Sequence, residues 1–165
     1  MIKRESKRDD GMKSYAVFSD CEKYRYILER VWDEKKGRIM FIGLNPSTAT
    51  ELKNDPTVNR MMNFAKSWNY GGFVVGNIFS FRATFPSDLK KSKDPIGKET
   101  DKFLFESALK ANKVVACWGN HAEFLQRGIE VRKLIEKMEC FGLTKHGEPK
   151  HPLYLRSDSK TRLMK

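Results

Sequence analysis

The chain has 165 residues, of which 39% are hydrophobic and 12% aromatic, and it carries a net charge of +11. The length and composition exclude a disordered chain and indicate one domain, residues 1–165. No apolar run is long enough to span a membrane, and the charged residues 1–13 do not form a signal peptide, so a cytoplasmic protein is expected. The three cysteines and three histidines lack the spacings of a disulfide framework or a metal site, so no metal or other cofactor is predicted.

Three segments before residue 38 have distinct sequence patterns. Residues 1–13 are charged and predict a flexible basic arm, and residues 15–18 predict a short edge strand. Residues 22–33 place apolar side chains at helical spacing, which predicts an amphipathic helix.

Four apolar segments alternate with helical patterns in the rest of the chain. Asp55-Pro56 and Asp94-Pro95 each predict a helix start, and residues 119–138 predict a mostly helical segment. This alternation is typical of a parallel sheet with helices on both faces. The predicted fold class is therefore α/β, a three-layer α/β/α sandwich around a central four-stranded, mainly parallel sheet. Its strands are expected at residues 39–43, 73–78, 114–118 and 140–143.

Polar residues follow the ends of the predicted strands. These residues are Asn45, Asn77, the pair Asn120 and His121, and His151. The carboxyl ends of parallel strands share one edge of a sheet, where ligands usually bind. The order of these residues predicts one shared site, although each of them alone could simply cap a turn.

Between residues 38 and 156, five motifs resemble those of the uracil-DNA glycosylase superfamily and follow the same order along the chain. The residues Gly43-Leu-Asn-Pro-Ser47 resemble the Gly-x-Asn-Pro turn of its mismatch-specific branch, and Thr57-Val-Asn-Arg60 resembles the Asn-Arg segment that follows. The strand-end Asn77 and the Trp-Gly at residues 118–119 also have counterparts. His151-Pro152 with Leu155 is similar to the second catalytic motif, His-Pro-Ser-x-Leu. Two departures are Leu153-Tyr154 within that motif and Asn45, where the most active branch has an aspartate.

The resemblance implies a DNA glycosylase that flips a damaged or modified pyrimidine out of DNA and hydrolyses its N-glycosidic bond during DNA repair. Asn45 would orient water and His151 would donate a hydrogen bond to the departing base. The implied base-binding residues are Asn77, Phe79 and Tyr154. The implied DNA-binding residues are Ser47, Asn59, Arg60, Arg82, Lys91, Asn120, His121, Leu155 and Arg156. The expected protein is a monomer with DNA as its partner, without contact to a membrane.

Two alternatives fit the same residues. One is a non-catalytic protein that binds nucleic acid or nucleotides on this fold, such as a phage or host-defence factor. The other is an enzyme that cleaves a free nucleoside or nucleotide. The missing aspartate favours these alternatives, whereas the positive charge favours DNA.

Overall fold

The computed structural model describes all 165 residues. The strands are β1 (Ile2–Lys7), β2 (Lys13–Phe18), β3 (Arg25–Val31), β4 (Arg38–Gly43), β5 (Gly72–Asn77), β6 (Lys113–Ala116), β7 (Glu139–Cys140) and β8 (Arg162–Leu163). The α-helices are α1 (Pro56–Ser67), α2 (Pro86–Lys91), α3 (Thr100–Lys110) and α4 (Arg127–Leu134). Two 3₁₀ segments, Asn120–Gln126 and Pro152–Tyr154, complete the regular structure.

All strands form one mixed sheet in the order β1-β2-β3-β5-β4-β6-β7-β8. Strand β4 pairs in parallel with β5 and β6, and β6 pairs in parallel with β7. The other four pairs are antiparallel. The prediction of a three-layer sandwich around a four-stranded, mainly parallel sheet is therefore wrong, because the sheet has eight strands and most of its pairs are antiparallel.

The segment predicted as an amphipathic helix, residues 22–33, contains strand β3 instead. This strand lies between β2 and β5, and six of its seven residues are buried. A strand covered on both faces has no alternation of apolar and polar residues, so its pattern does not distinguish it from a buried helix. Its neighbours in the sheet decide its conformation.

The predicted flexible arm, residues 1–13, is also wrong, because residues 2–7 form strand β1 at the edge of the sheet. Exposed side chains alternate with half-buried ones along β1, and all three exposed ones are charged. Charged residues protect an edge strand from pairing with other chains. The same charges make the segment look unstructured in the sequence.

Of the four α-helices, α1 alone has a side-chain hydrogen bond at its N-terminal cap. Helix α1 confirms the predicted start, since Asp55 Oδ1 accepts a hydrogen bond from Val58 N at 2.9 Å. Asp94 does not begin a helix. Its side chain accepts from Gly97 N at 3.1 Å, which closes a turn ahead of α3. The segment 119–138 is mostly helical, as predicted, and consists of the 3₁₀ segment Asn120–Gln126 followed by α4.

Two hydrophobic clusters lie on opposite faces of the sheet. Helix α1 packs over Phe41, Phe73 and Val75 on one face. Leu104 of α3 and Val131 of α4 pack over Met40 and Ile42 on the other. None of the helices has the length and apolar character that a membrane crossing needs. The packed centre of the sheet fixes the carboxyl ends of β4, β5 and β6 at one edge.

Candidate functional site

Asn77, the last residue of β5, lies beside Gly43, the last residue of β4. Its side chain is 4% exposed, and its Nδ2 is buried without a hydrogen-bond partner. A Cβ atom on residue 43 would lie 2.8 Å from Asn77 Oδ1, which is closer than such contacts allow. Glycine at this position therefore leaves the space that the Asn77 amide occupies. Buried amides normally have partners, so the unpartnered Nδ2 of Asn77 needs an explanation.

The Asn45 amide is fixed by the neighbouring backbone. Its Nδ2 donates to the carbonyl oxygens of Pro46, at 3.0 Å, and Ala83, at 2.8 Å. Ala83 N donates in turn to the Pro46 carbonyl at 2.9 Å. These bonds orient the amide and leave Oδ1 as its acceptor. Asn45 can thus accept a hydrogen bond from water, but it cannot remove a proton from it.

His151 precedes the 3₁₀ segment Pro152–Tyr154 and caps it. Its Nδ1 accepts a hydrogen bond from Leu153 N at 3.2 Å, so the proton of the neutral imidazole lies on Nε2. Burial lowers the pKa of His151 below its ordinary value, and the Asp55 carboxylate partly offsets this shift. His151 is therefore neutral at pH 7 and has one N–H to donate.

The exit of β6 positions this histidine. A Cβ on Gly119 would lie 3.8 Å from His151 Cβ, and Gly119 N donates to the Pro149 carbonyl at 2.9 Å. Gly119 has a φ of +75°, a conformation that side chains rarely adopt. Nearby, buried Trp118 Nε1 donates to Glu148 Oε2 at 2.7 Å, which ties the loop before His151 to the core.

Arg60 of α1 holds the segment after His151 from the other side. Its Nε donates to the Pro152 carbonyl at 3.3 Å, and its Nη2 donates to the Leu155 carbonyl. The guanidinium also lies 5.0 Å from the centre of the Phe64 ring. In this structure Arg60 donates hydrogen bonds to the protein's own backbone, whereas the sequence predicts that Arg60 contacts DNA.

Two buried arginines of β3 hold residues 44–55, which we call the site loop. Arg25 Nη1 donates to the Ala49 carbonyl at 2.9 Å. Arg30 donates to the carbonyl oxygens of Thr50 and Lys53 and to Oδ1 of Asn54. Sequence reasoning missed both arginines because it placed them on a helix. The signal in the sequence is that two arginines lie within an apolar segment, where charges need a specific partner.

Several predicted site residues do not lie with this group or have other contacts. Phe79 is fully buried against Phe124, so it presents no face to a base. Arg82 donates to the Glu22 carbonyl, and Asn59 accepts from Asn54. Arg156 pairs with Asp158. Asn120 and His121 line a separate open depression of about 430 Å³ with Lys90 and His146.

The remaining predicted residues lie on the surface or at its margin. Tyr154 is 91% exposed, three residues after His151, and Leu155 is half-buried. Ser47 is half-buried in the site loop, and Lys91 is exposed at the end of α2. No three His, Cys, Asp or Glu side chains lie close enough together to hold a metal ion. Asn77 thus ends β5 beside the end of β4, Asn45 follows two residues after β4, and His151 lies next to Gly119, beyond the end of β6.

A family model described as "Protein of unknown function (DUF1643)" matches residues 25–153, more than three quarters of the chain. No curated protein and no solved structure matches it. The matched residues begin at Arg25 and end two residues after His151, so they include Asn45, Asn77 and His151 but neither Tyr154 nor Leu155.

Proposed function

The chain belongs to the DUF1643 family, and we propose that it binds DNA and hydrolyses the N-glycosidic bond of a modified or damaged pyrimidine. The buried, unpartnered amide of Asn77 carries this proposal. An amide offers a donor and an acceptor side by side, which complements the carbonyl and N–H groups on the edge of a pyrimidine. A base flipped out of the helix supplies the partners that Asn77 lacks.

His151 supports the departure of the base. As the N-glycosidic bond breaks, negative charge develops on a carbonyl oxygen of the pyrimidine. The Nε2–H of His151 donates to this oxygen, and the contact strengthens as the charge grows. Because the Leu153 amide fixes the tautomer, this donor needs no rearrangement during the reaction. A neutral donor also leaves the proton on the protein while the base leaves as an anion.

Asn45 limits the rate at which water attacks the sugar after the base departs. Its Oδ1 accepts a hydrogen bond from the attacking water and so directs the water toward the sugar. An amide has no basicity to withdraw the proton, so the water attacks a sugar that already carries most of the positive charge. We therefore expect excision to be slow and to need a base that leaves easily.

A non-catalytic base-binding protein is the second candidate. Asn45 favours it, since an amide rather than a carboxylate stands where water would be activated. Such a protein would hold the base at Asn77 and His151 without breaking the bond. Binding and excision must therefore be measured separately.

Single-turnover excision tests the proposal on single- and double-stranded oligonucleotides with uracil, a thymine mismatch or 5-hydroxymethyluracil. Alkali converts each abasic product into a strand break. Asn77→Ala should abolish discrimination between modified and ordinary bases, with Asn59→Ala, an exposed asparagine, as the control. His151→Asn keeps an acceptor for the Leu153 amide but has no N–H at the position of the imidazole Nε2, and we expect an excision rate about 10²–10³-fold lower. Base-specific binding without excision on every substrate would support the second candidate instead.

A further inference from the structure

Arg25 is a buried cation whose hydrogen bonding is incomplete. It is 2% exposed, its Nη1 reaches the Ala49 carbonyl, and its Nε is buried without a partner. It forms no ion pair. Burying a charge is costly unless hydrogen bonds or an opposite charge compensate it. The free Nε therefore needs an explanation.

The other two buried arginines show what compensation looks like in this protein. Arg30 makes bonds to three residues of the site loop. Arg127 donates to the Ile78 carbonyl at 2.7 Å and pairs with Asp101. Arg25 alone combines near-complete burial with a buried nitrogen that has no partner, since the unpartnered arginine nitrogens are those of Arg25 and the half-buried Arg132.

Arg25 lies at the same edge of the sheet as Asn77. It is the first residue of β3, and its backbone N donates to the Ser80 carbonyl, just past the end of β5. Asp55 acts electrostatically on both Arg25 and His151, which places the two in one electrostatic neighbourhood.

The charges around Arg25 leave this neighbourhood positive. Burial lowers the pKa of Arg25 to about 10, so the guanidinium stays charged at neutral pH. Arg82 and Arg30 add positive charge nearby, and the carboxylates of Asp55 and Glu51 oppose part of it. The Asp55 carboxylate is engaged as the cap of α1 and forms no ion pair with Arg25.

We propose that Arg25 binds a phosphate of the nucleotide whose base meets Asn77. A guanidinium presents several N–H donors in one plane, which suits phosphate oxygens. The nucleotide part of this inference rests on the proposed function, whereas phosphate binding by Arg25 does not. The phosphate belongs either to the backbone of DNA or to a free nucleoside monophosphate, and both sources present the same oxygens.

Calorimetry with paired probes tests the assignment. Thymidine and thymidine 5′-monophosphate differ only in the phosphate, and a short single-stranded oligothymidylate carries it as a diester. We expect wild-type protein to bind a phosphorylated probe at least tenfold more tightly than thymidine, and Arg25→Gln to remove this difference. Preference for the oligonucleotide over the monophosphate assigns the phosphate to DNA, and the reverse assigns it to a free nucleotide.

Arg30→Gln is the matched control, since Arg30 is a buried arginine of the same strand whose bonds are internal. It should lower the unfolding midpoint but keep the preference for phosphate in the folded protein. Arg25→Gln removes an incompletely bonded buried charge together with one hydrogen bond to the site loop, so it should lower the midpoint less than Arg30→Gln does. Arg25→Lys, which retains the charge with fewer donors, replaces it if the glutamine variant does not fold, and should weaken the preference.

Two results would overturn the assignment. One is a wild-type protein that binds thymidine and both phosphorylated probes equally, and the other is an unchanged phosphate preference in folded Arg25→Gln. A different result would show that the proposed function is wrong while the phosphate site is correct. Loss of phosphate preference in Arg25→Gln, without excision of any base by wild-type protein, would refute the glycosidase and leave the phosphate site in place.

Discussion

Replacing Gly43 with alanine tests whether Asn77 reads the base, because the new methyl group would meet the Asn77 side chain. The added Cβ would lie 2.8 Å from Asn77 Oδ1, whereas ordinary contacts of this kind begin at 3.4 Å. The amide must therefore move by about 0.6 Å or adopt another rotamer, which takes both of its polar atoms away from the ligand. Met61 Cε, at 3.8 Å, does not obstruct the methyl group.

The expected loss of binding follows from the two hydrogen bonds that Asn77 would make to a base in the proposed function. Each contributes about 0.5–1.5 kcal/mol, so affinity for the target base should fall about 5- to 150-fold. Stability should change little. Alanine restricts the unfolded chain by about 0.4–1 kcal/mol, and a displaced Asn77 rotamer costs about 0.5–1.5 kcal/mol. The unfolding midpoint should therefore move by less than about 4 °C.

The assay is binding of the best modified oligonucleotide, paired with a thermal unfolding scan of each variant. Gly76→Ala is the control in β5, the strand of Asn77, since its Cβ would lie 2.6 Å from Leu104 Cδ2 in the core. It should cost about 1–3 kcal/mol of stability but leave base recognition intact in the folded protein. Asn77→Ala should match Gly43→Ala, and the double variant should lose no more than either one. Wild-type affinity in folded Gly43→Ala would refute the base-reading role of Asn77.

Three further predictions concern the same edge of the sheet. Arg60→Ala loses both hydrogen bonds to the segment after His151, so the excision rate should fall by up to about 10²-fold. Binding of DNA at low salt should change less. Loss of binding at an unchanged excision rate would instead indicate that Arg60 contacts a phosphate. Because burial holds the folded pKa of His151 below its unfolded value, the unfolded chain binds the proton first, and wild-type stability should fall as pH drops below about 6.5. His151→Asn should show a smaller fall in thermal scans at pH 7.5 and 5, and equal falls would contradict this. The DNA affinity of a protein with charge +11 should decrease steeply with salt, and Lys91→Glu should lower the logarithmic salt slope by about one; Lys35→Glu, before β4 at the opposite edge, should not.

The sequence predicts the central features of the site better than the sheet that holds them. Asp55 and Pro56 mark the start of α1 because capping is a local property of the chain. Strand ends at Gly43 and Asn77 follow from apolar segments that stop at polar residues. Such signals depend on a few neighbouring residues, so a sequence contains them without any knowledge of the fold.

Features that depend on residues distant in the chain could not be predicted from the sequence. Strand β3 carries apolar residues on both faces, and only its position between β2 and β5 makes it a strand. Arg60 occupies the position of a DNA contact in the resembling motif, yet it reaches the carbonyl of Leu155, 95 residues away. Phe79 looks available for stacking but is enclosed by Phe124. Burial and long-range partners decided each of these cases.

The side chains that hold the site loop also determine how the native state opens. Because Arg25 and Arg30 donate to its carbonyl oxygens, the loop cannot leave its place without exposing two buried guanidinium groups of a central strand. Local fluctuation of the loop is thereby linked to the disruption of β3, so the two should behave as one cooperative unit in hydrogen exchange. A long polar connection would ordinarily exchange and be cleaved early. Here it should resist proteases until the antiparallel half of the sheet separates.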